Sequence, residues 1–362
     1  MRQKILITGG AGFIGSHTAV VLHESGYTPV IVDNFKNSEQ AVIQGIRKIC
    51  QSDLPFYAGD CTDKEFLRSV FQREEHVSGV IHFAAYKSVN ESNQFPVRYY
   101  QNNVGALLTL LDVMMEHYVS NLVFSSSCTV YGSPDVIPVT EDALIKETPS
   151  TYGKTKQICE NIIEDVISRG HGIRSVLLRY FNPIGAHPSG LIGELPIGVP
   201  NNLVPFITQT ACGLRKKLIV YGKDYKTPDG TCIRDFVHVL DLAKAHIKAF
   251  EYLDKNSACM LEKINVGTGQ GQSVLDVIKA FERVNGLKLN YEFGFRRDGD
   301  VEAVYADAKK ARQLLGWEAK LTIEDAVRDA WHWQQCQEEL KKKKLRELHY
   351  SLREIKGEQG WN

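Results

Sequence analysis

Thr8-Gly9-Gly10-Ala11-Gly12-Phe13-Ile14-Gly15 stands directly behind the apolar run Lys4–Thr8 and opens a helical pattern that leads to a second apolar run, Thr28–Asp33. A strand, a glycine turn, a helix and a second strand form the unit from which parallel sheets are built, because a crossover helix brings the chain back to the same edge. Glycines at 9, 12 and 15 permit a tight turn and let the backbone come close to a ligand. The helix start offers unpaired N–H groups and the positive end of the helix dipole, which suits a phosphate. A glycine turn without any ligand would read the same way, so its surroundings decide. Asp33 ends the second run 18 residues after Gly15, where a carboxylate can bond both hydroxyls of an adenosine ribose. Its charge would repel a 2′-phosphate. The reading is therefore NAD rather than NADP, held by Gly9, Gly12, Gly15 and Asp33, with Phe13 and Ile14 at the helix start.

Apolar, β-branched runs continue to alternate with helical patterns up to Leu178. The expected strands are Lys4–Thr8, Thr28–Asp33, Pro55–Gly59, Gly79–Phe83, Asn121–Ser125 and Ser175–Leu178. This spacing predicts an α/β fold, a Rossmann-like doubly wound parallel sheet. A chain of 362 residues exceeds the usual size of one core. After Arg179 the character changes, with Gly185, Pro188, Gly190, Gly193, Pro196, Gly198 and Pro200 close together. The division expected is a cofactor-binding domain over 1–179, to which some later segments return. A smaller α/β C-terminal substrate lobe follows over 180–333, closing over the carboxyl ends of the strands. The extension 334–362 is charged and helical, with Lys341 to Lys344 in a row and Leu345, Leu348, Leu352 and Ile355 at helical spacing.

Lys plus Arg equals Asp plus Glu at 43 each, which gives no reason to expect nucleic acid or an acidic membrane surface as a partner. The eight cysteines are scattered without a C-x-x-C pair, so neither a zinc site nor a disulfide framework is expected, and no metal. Leu195 to Leu214 is the longest uncharged stretch, and its three prolines and Asn pair rule it out as a membrane helix. The N-terminal run is too short for a signal-peptide core, and a cytoplasmic location is the expectation.

Tyr152-Gly153-Lys154-Thr155-Lys156 puts Tyr152 and Lys156 four apart on one helix face. A tyrosine with an ordinary pKa near 10 is a poor base at neutral pH, and a neighbouring ammonium together with a cationic nicotinamide would favour its phenolate. By itself the pair also fits a plain amphipathic helix. Ser125-Ser126-Ser127 follows the fifth expected strand, where hydroxyls face the ligand crevice. One serine can share a proton with Tyr152, while others can simply end the strand in local turns. Asp60, after Tyr57-Ala58-Gly59, stands either for the adenine edge or for the N-cap of a helix from Thr62 to Val70.

These motifs together resemble the extended short-chain dehydrogenase/reductase superfamily, and within it the UDP-galactose 4-epimerases. The resemblance covers about residues 3–333. It rests on residues 8–17, Ile-His-Phe-Ala-Ala-Tyr-Lys-Ser-Val at 81–89, the serine segment, Tyr152 and Lys156. Arg-Tyr-Phe-Asn-Pro-Ile-Gly-Ala-His-Pro-Ser-Gly at 179–190, Pro-Asn-Asn-Leu at 200–203, Asp-Gly-Thr-Cys-Ile-Arg-Asp-Phe at 229–236 and Arg-Arg-Asp-Gly-Asp at 296–300 complete it. It implies interconversion of UDP-glucose and UDP-galactose with tightly held NAD, through a 4-keto sugar that turns over within the pocket. In this scheme Tyr152 takes the 4-hydroxyl proton, Ser127 relays or stabilises it, and Lys156 lowers the Tyr152 pKa and holds the nicotinamide ribose. Lys87 reaches the same ribose and the sugar side. Asn102, Phe83, Tyr180, Asn34, Cys61 and Ser125 line the cofactor. Arg234 and Arg297 match the diphosphate-binding arginines, although Arg234 next to Asp235 also reads as a structural ion pair. Asn182, Asn202 and Leu203 match the positions for the glycosyl phosphate and the base. Tyr221 stacks near the uracil, and Asp300 takes the uridine ribose. A homodimer pairing helices of the large lobe is implied on the same ground.

The chain departs from that pattern in places. Ala85-Tyr86-Lys87-Ser88-Val89-Asn90 stands where Gly-Leu-Lys-Ala-Val-Gly is usual, and Cys128 replaces the usual Ala. Val304 occupies a position at which relatives carry either a bulky tyrosine or a small residue. A small residue there leaves room for an N-acetyl group, which implies UDP-GlcNAc and UDP-GalNAc as further substrates unless Tyr86 fills the same space. Dehydratases of this fold carry an Asp-Glu pair after the position of Ser127, where this chain has Cys128-Thr129. A non-catalytic NAD sensor has no need for Tyr152, Lys156 and Ser127 together. A dehydrogenase with exchangeable NAD differs in releasing reduced cofactor.

Overall fold

The structure is a computed structural model that describes residues 2–297 and 300–357, with side chains as far as Arg346. Its centre is a seven-stranded parallel sheet. Six strands are β1 (Lys4–Thr8), β2 (Thr28–Asp33), β3 (Phe56–Ala58), β4 (Val77–His82), β5 (Asn121–Ser125) and β6 (Arg174–Tyr180). The order across the sheet is Leu261–Val266, β6, β5, β4, β1, β2, β3. The expected strands are present, with ends shifted by up to two residues. The strand Leu261–Val266 was not expected from the sequence. It comes from far along the chain and pairs with β6 from Leu261↔Ser175 to Val266↔Tyr180.

Side chains alternate between the two faces of each strand, and both faces are covered. Ile5, Ile7, Ile31, Ile81, Val123 and Val176 point into a core closed by α1 (Phe13–Glu24), α2 (Gln40–Cys50) and the helix Val239–Lys255. Leu6, Val30, Val32, Val80, Leu122 and Leu177 point into a second core. That core is closed by α3 (Lys64–Glu74), α6 (Gly105–Glu116) and α7 (Thr151–Ser168). Between β4 and α6 lie the short helices α4 (Val89–Gln94) and α5 (Pro96–Tyr99) and a π-helical turn, Tyr100–Val104. A third core forms in the C-terminal half around Ile184, Val204, Ile207, Val220, Phe236, Phe281 and Val327.

The α3 helix corrects one reading. Its N-cap is Asp63, which accepts from the Phe66 amide at 3.0 Å, and not Asp60. The last helix, Ile323–Gly357, carries the charged extension. Leu345 on it is exposed, and Leu348, Leu352 and Ile355 lie outside the residues whose side chains are described. Among the described residues, no helix is long and apolar enough to cross a membrane.

Candidate active site

The carboxyl ends of the parallel strands all open to one edge, and the glycine turn sits there. Gly9 has φ +69°, and a Cβ on it would come within 2.8 Å of the Ala84 backbone nitrogen. A Cβ on Gly15 would lie 2.3 Å from the Gly9 carbonyl oxygen, so the turn and the helix touch backbone to backbone. Gly12 is the N-cap of α1 and supplies no side-chain cap, and the first turn holds no acidic residue. The amides at Phe13 and Ile14 therefore start a helix with its positive end uncompensated. The Asp33 carboxylate closes the far side. It accepts from Ala11 N at 2.9 Å, Phe35 N at 2.8 Å and Ser38 Oγ at 2.9 Å, which fixes its orientation at the end of β2.

Asp60, at the end of β3, accepts from Thr62 N and Oγ1, Asn34 Nδ2 and Lys36 Nζ. Burial opposes its ionisation, but these donors outweigh it and hold the carboxyl below the usual range. Cys61 turns inward, and burial pushes its thiol up. Phe83 packs against His246, with ring centroids 4.6 Å apart. The π-helical turn puts Asn102 beside Asn103, its amide donating to Asn103 Oδ1 at 3.0 Å.

The second group gathers where β5 and β6 meet α7. Ser150 caps α7 by accepting from Gly153 N at 3.1 Å. Gly153 is required by the close approach of Thr148, whose hydroxyl would stand 2.2 Å from an added Cβ. Tyr152 and Lys156 both point inward and are buried. Lys156 Nζ donates to the Ser125 carbonyl at 2.6 Å and lies 5.9 Å from the centre of the Tyr152 ring. Burial lowers its pKa to about 8. The Tyr152 phenol is raised well above 10, chiefly by burial and then by Tyr180, against a hydrogen bond from Ser127. The lowering of Tyr152 expected from the sequence is thus not a property of the protein groups alone, because burial dominates.

The three serines divide their work. Ser125 Oγ meets the Tyr180 hydroxyl at 2.8 Å. Ser126 Oγ donates to Glu160 at 2.5 Å. Ser127 caps the 3₁₀ turn Cys128–Tyr131, accepting from Thr129 N at 3.2 Å, and is the serine that reaches Tyr152. Sequence reasoning missed the support beneath them. Glu160 is also held by Arg179, whose Nη1 donates to Tyr131 Oη at 3.1 Å.

The third group comes from the C-terminal half of the chain. Asp300 binds two arginines, Arg234 at 3.3 Å and Arg297 at 3.0 Å, and the Arg297 guanidinium lies 5.0 Å from the centre of the Tyr221 ring. The ion pair between Arg234 and Asp235 weighed from sequence is not formed. Asp235 is fully buried and accepts from Thr268, Gly269 and Ala306 amides instead. Asp298 and Gly299 of this motif lie outside the described residues. Val304 is the strand partner of Arg234 and packs with Val130, Tyr131, Val139 and Phe181.

Asn182 opens the strand Asn182–Ile184, its backbone N–H bonded to the Asp235 carbonyl at 2.9 Å. Asn202 is the N-cap of the helix Leu203–Ala211 but makes no capping bond with its side chain. Its amide donates to Glu194 Oε1 at 2.6 Å, and Lys87 Nζ reaches the same oxygen at 2.9 Å. Glu194, which no motif marked, therefore joins the loop after β4 to the loop before that helix. Tyr86 packs with Tyr99 and Tyr152, in a cluster separate from that of Val304. Among the described residues, no group of His, Cys, Asp and Glu could hold a metal ion.

A family model described as GDP-mannose 4,6 dehydratase matches residues 6–330. The UDP-glucose 4-epimerase of Dictyostelium discoideum is 47% identical over 333 residues, 92% of this chain and 96% of that protein. The crystal structure of UDP-glucose-4-epimerase from Stenotrophomonas maltophila, with bound NAD and formylated UDP-arabinopyranose, aligns with a TM-score of 0.91. It is 42% identical and covers 94% of this chain and 100% of that one. The enzyme from Bifidobacterium longum in complex with NAD+ and UDP aligns with a TM-score of 0.88 at 45% identity, covering 92% and 98%.

Proposed function

Since the chain belongs to the UDP-glucose 4-epimerase family, we propose a mechanism in which each group of residues above has one task. The protein is an NAD-dependent isomerase that interconverts UDP-glucose and UDP-galactose. The observation that carries the assignment of chemistry is the buried set Tyr152, Ser127 and Lys156, placed at the same strand ends as the glycine turn.

The cofactor-facing residues fit NAD. Any side chain at Gly9 or Gly15 would collide with backbone, and the uncapped α1 N-terminus faces the same edge. Gly9, Gly12, Gly15, Phe13 and Ile14 would hold the diphosphate, and Asp33 with Asn34 the adenosine ribose. Asp60 and Cys61 would border the adenine. Phe83, Lys87, Asn102, Ser125 and Tyr180 would line the nicotinamide half. When bound, NAD supplies the acceptor and donor for the hydrogen at the sugar C4.

On the protein side, Tyr152 removes the proton from the 4-hydroxyl, and Ser127 shares it. Lys156 opposes the burial that otherwise keeps Tyr152 protonated. Arg234 and Arg297 leave Asp300 to grip the diphosphate, and Asp300 is freed for the uridine ribose. Tyr221, Asn182, Asn202 and Leu203 complete the nucleotide site. The nucleotide stays anchored while the sugar turns its other face, and Tyr152 returns the proton. Cys128-Thr129 supplies no acid–base pair for loss of water, which favours epimerisation over the dehydratase chemistry in the family model's description.

A valine rather than a tyrosine at 304, packed with Val130, Tyr131, Val139 and Phe181, favours acceptance of UDP-GlcNAc and UDP-GalNAc as well, while Tyr86 lies against Tyr152 and is the residue that could oppose it. Residues 1–179 serve the cofactor and 180–333 mainly the UDP-sugar. The enzyme works as a homodimer through α5, α6 and α7, where Val97 (66%), Leu108 (50%) and Ile158 (37%) are exposed. Eight free cysteines suit the reducing cytoplasm. The test is spectral: purified holoenzyme given UDP-galactose should form UDP-glucose with no reduced cofactor released into solution. Stoichiometric release of NADH would identify a dehydrogenase instead.

A further inference from the structure

Glu194 stands in the stretch rich in proline and glycine, and its side chain is only 10% exposed. A carboxylate so far out of water needs partners. Two reach it from different halves of the chain. Lys87 Nζ donates to Oε1 at 2.9 Å, and Asn202 Nδ2 donates to the same oxygen at 2.6 Å. A further contact joins the same two loops, Asn201 Nδ2 to Ser88 Oγ at 3.4 Å. The backbone of Glu194 is fixed on the last helix. Its carbonyl accepts from Trp333 Nε1 at 3.1 Å, and a Cβ on Gly193 would lie 2.5 Å from the Trp333 ring. The carboxylate is therefore a fixed point, and Lys87 and Asn202 are the groups it holds.

Lys87 is tied in turn to the helix of the proposed base. It follows Tyr86, which packs with Tyr152 in one buried cluster. Asn103 accepts from Tyr86 N at 2.8 Å and donates to Tyr86 O and Thr155 Oγ1, both at 3.1 Å. Thr155 lies between Tyr152 and Lys156 on α7, and its hydroxyl donates to Tyr152 O at 2.7 Å. Contacts thus run unbroken from α7 through Asn103, Tyr86 and Lys87 to Glu194, and from there to Asn202. Asn202 in turn adjoins Leu203, the first residue of the helix Leu203–Ala211.

We infer that Glu194 is a positioning residue that couples the loop proposed for the nucleotide to the helix carrying Tyr152 and Lys156. This rests on the placement of Lys87 and Asn202 proposed above. The nucleotide and the sugar of the substrate meet different halves of the chain, and the sugar turns over while the nucleotide stays in place. A link of fixed length between Lys87 and Asn202 keeps the nucleotide in register with Tyr152 through that turn. Without the carboxylate, Lys87, whose side chain is 61% exposed, loses this anchor. A displacement of about 1 Å in such a site costs about 10²-fold in rate.

The test separates chemistry from binding. In holoenzyme, Glu194→Ala should lower kcat for UDP-galactose about 10- to 100-fold, while KM and the calorimetric Kd for UDP stay within about threefold. Glu194→Gln keeps an acceptor and the side-chain volume but loses the charge, and its kcat should fall between wild type and Glu194→Ala. A side chain that only supported the fold would not split kcat from KM in this way. In a Lys87→Met background, Glu194→Gln should cost less than it does alone, because one of its two donors is already gone. If Glu194→Ala does not fold, the isosteric Glu194→Gln carries the test. Wild-type kcat in Glu194→Gln, losses that add with those of Lys87→Met, or a Kd for UDP that weakens as much as kcat falls would each overturn the coupling. Wild-type kcat and KM in Lys87→Met would instead overturn the placement of Lys87 at the site.

Discussion

Arg179 grips Glu160 at two points, Nε to Oε1 at 3.0 Å and Nη2 to Oε2 at 2.6 Å, with neither side chain more than 4% exposed. Glu160 lies one helical turn beyond Lys156 and also accepts from Ser126, the middle serine. The pair therefore fixes the floor on which Ser127 and Lys156 stand. Breaking a buried pair leaves an uncompensated charge, at a cost of about 3–5 kcal/mol. Glu160→Leu should destabilise the protein by about that amount in urea unfolding. Glu160→Leu combined with Arg179→Met should cost less than the sum of the two single changes, because neither charge is then left alone. Additive losses would show that the pair is not coupled.

Tyr152→Phe removes one hydroxyl from a packed aromatic cluster and leaves its ring in contact with Tyr86 and Tyr99. Loss of a positioned general base lowers kcat by roughly 10²–10⁴. UDP affinity, measured by calorimetry, should change little, because none of the residues proposed for the nucleotide belongs to that cluster. A variant that keeps near wild-type kcat would remove Tyr152 from the role of base.

Arg297 can act on the substrate without supporting the fold. It is half exposed, and its charge partner Asp300 keeps Arg234 when Arg297 is lost. Arg297→Leu should weaken UDP binding by roughly 1.5–3 kcal/mol, the range for a hydrogen bond to a charged group. The slowing of kcat at saturating UDP-galactose should be smaller. An unchanged Kd for UDP would place the diphosphate elsewhere.

Three buried histidines make the fold sensitive to acid. Burial lowers the pKa of His17 and His82 to about 3 and that of His246 to about 4, against 6.5 for the free side chain. Below 6.5 the unfolded chain binds protons that the folded protein refuses. Stability is therefore complete above 6.5 and is lost as pH falls from there toward 4. With three protons taken up on unfolding, the slope reaches about 4 kcal/mol per pH unit. Urea midpoints at pH 7.5, 6.5, 5.5 and 5.0 should be level at first and then drop steeply. A flat series down to pH 5.0 would mean that the histidines charge without unfolding.

What could be read in the sequence was what is local in it. The β1–α1–β2 unit needs only neighbouring residues, and Asp33 ends its strand where the spacing put it. Leu261–Val266 could not be placed, because a short apolar run far down the chain carries no sign of pairing with β6. The same limit applies within the site. Tyr152 and Lys156 share a helix and could be paired by spacing. Glu194 finds Lys87 107 residues away, and Asp300 finds Arg234 66 residues away, so neither contact was legible. Asp60 offered two readings, and a second acidic residue, Asp63, took the cap. The pKa of Tyr152 was legible only in part. The sequence supplies the neighbouring charges but not the degree of burial, and burial is the larger effect.

Val304 sets the most specific expectation for substrate choice. It is buried among Val130, Tyr131, Val139 and Phe181, and its register partner is Arg234, which is proposed to bind the diphosphate. If Val304 borders the sugar as proposed, a tyrosine here would take up space the N-acetyl group needs. Val304→Tyr should then lose UDP-GalNAc turnover by about 10- to 100-fold, since overpacking costs about 1–3 kcal/mol. It should keep UDP-galactose turnover within a few-fold. A coupled assay with the two substrates reads this ratio directly. If the wild-type protein shows no turnover of UDP-GalNAc or UDP-GlcNAc, the N-acetyl reading fails. If Val304→Tyr loses both substrates equally, Val304 serves packing without selecting the sugar.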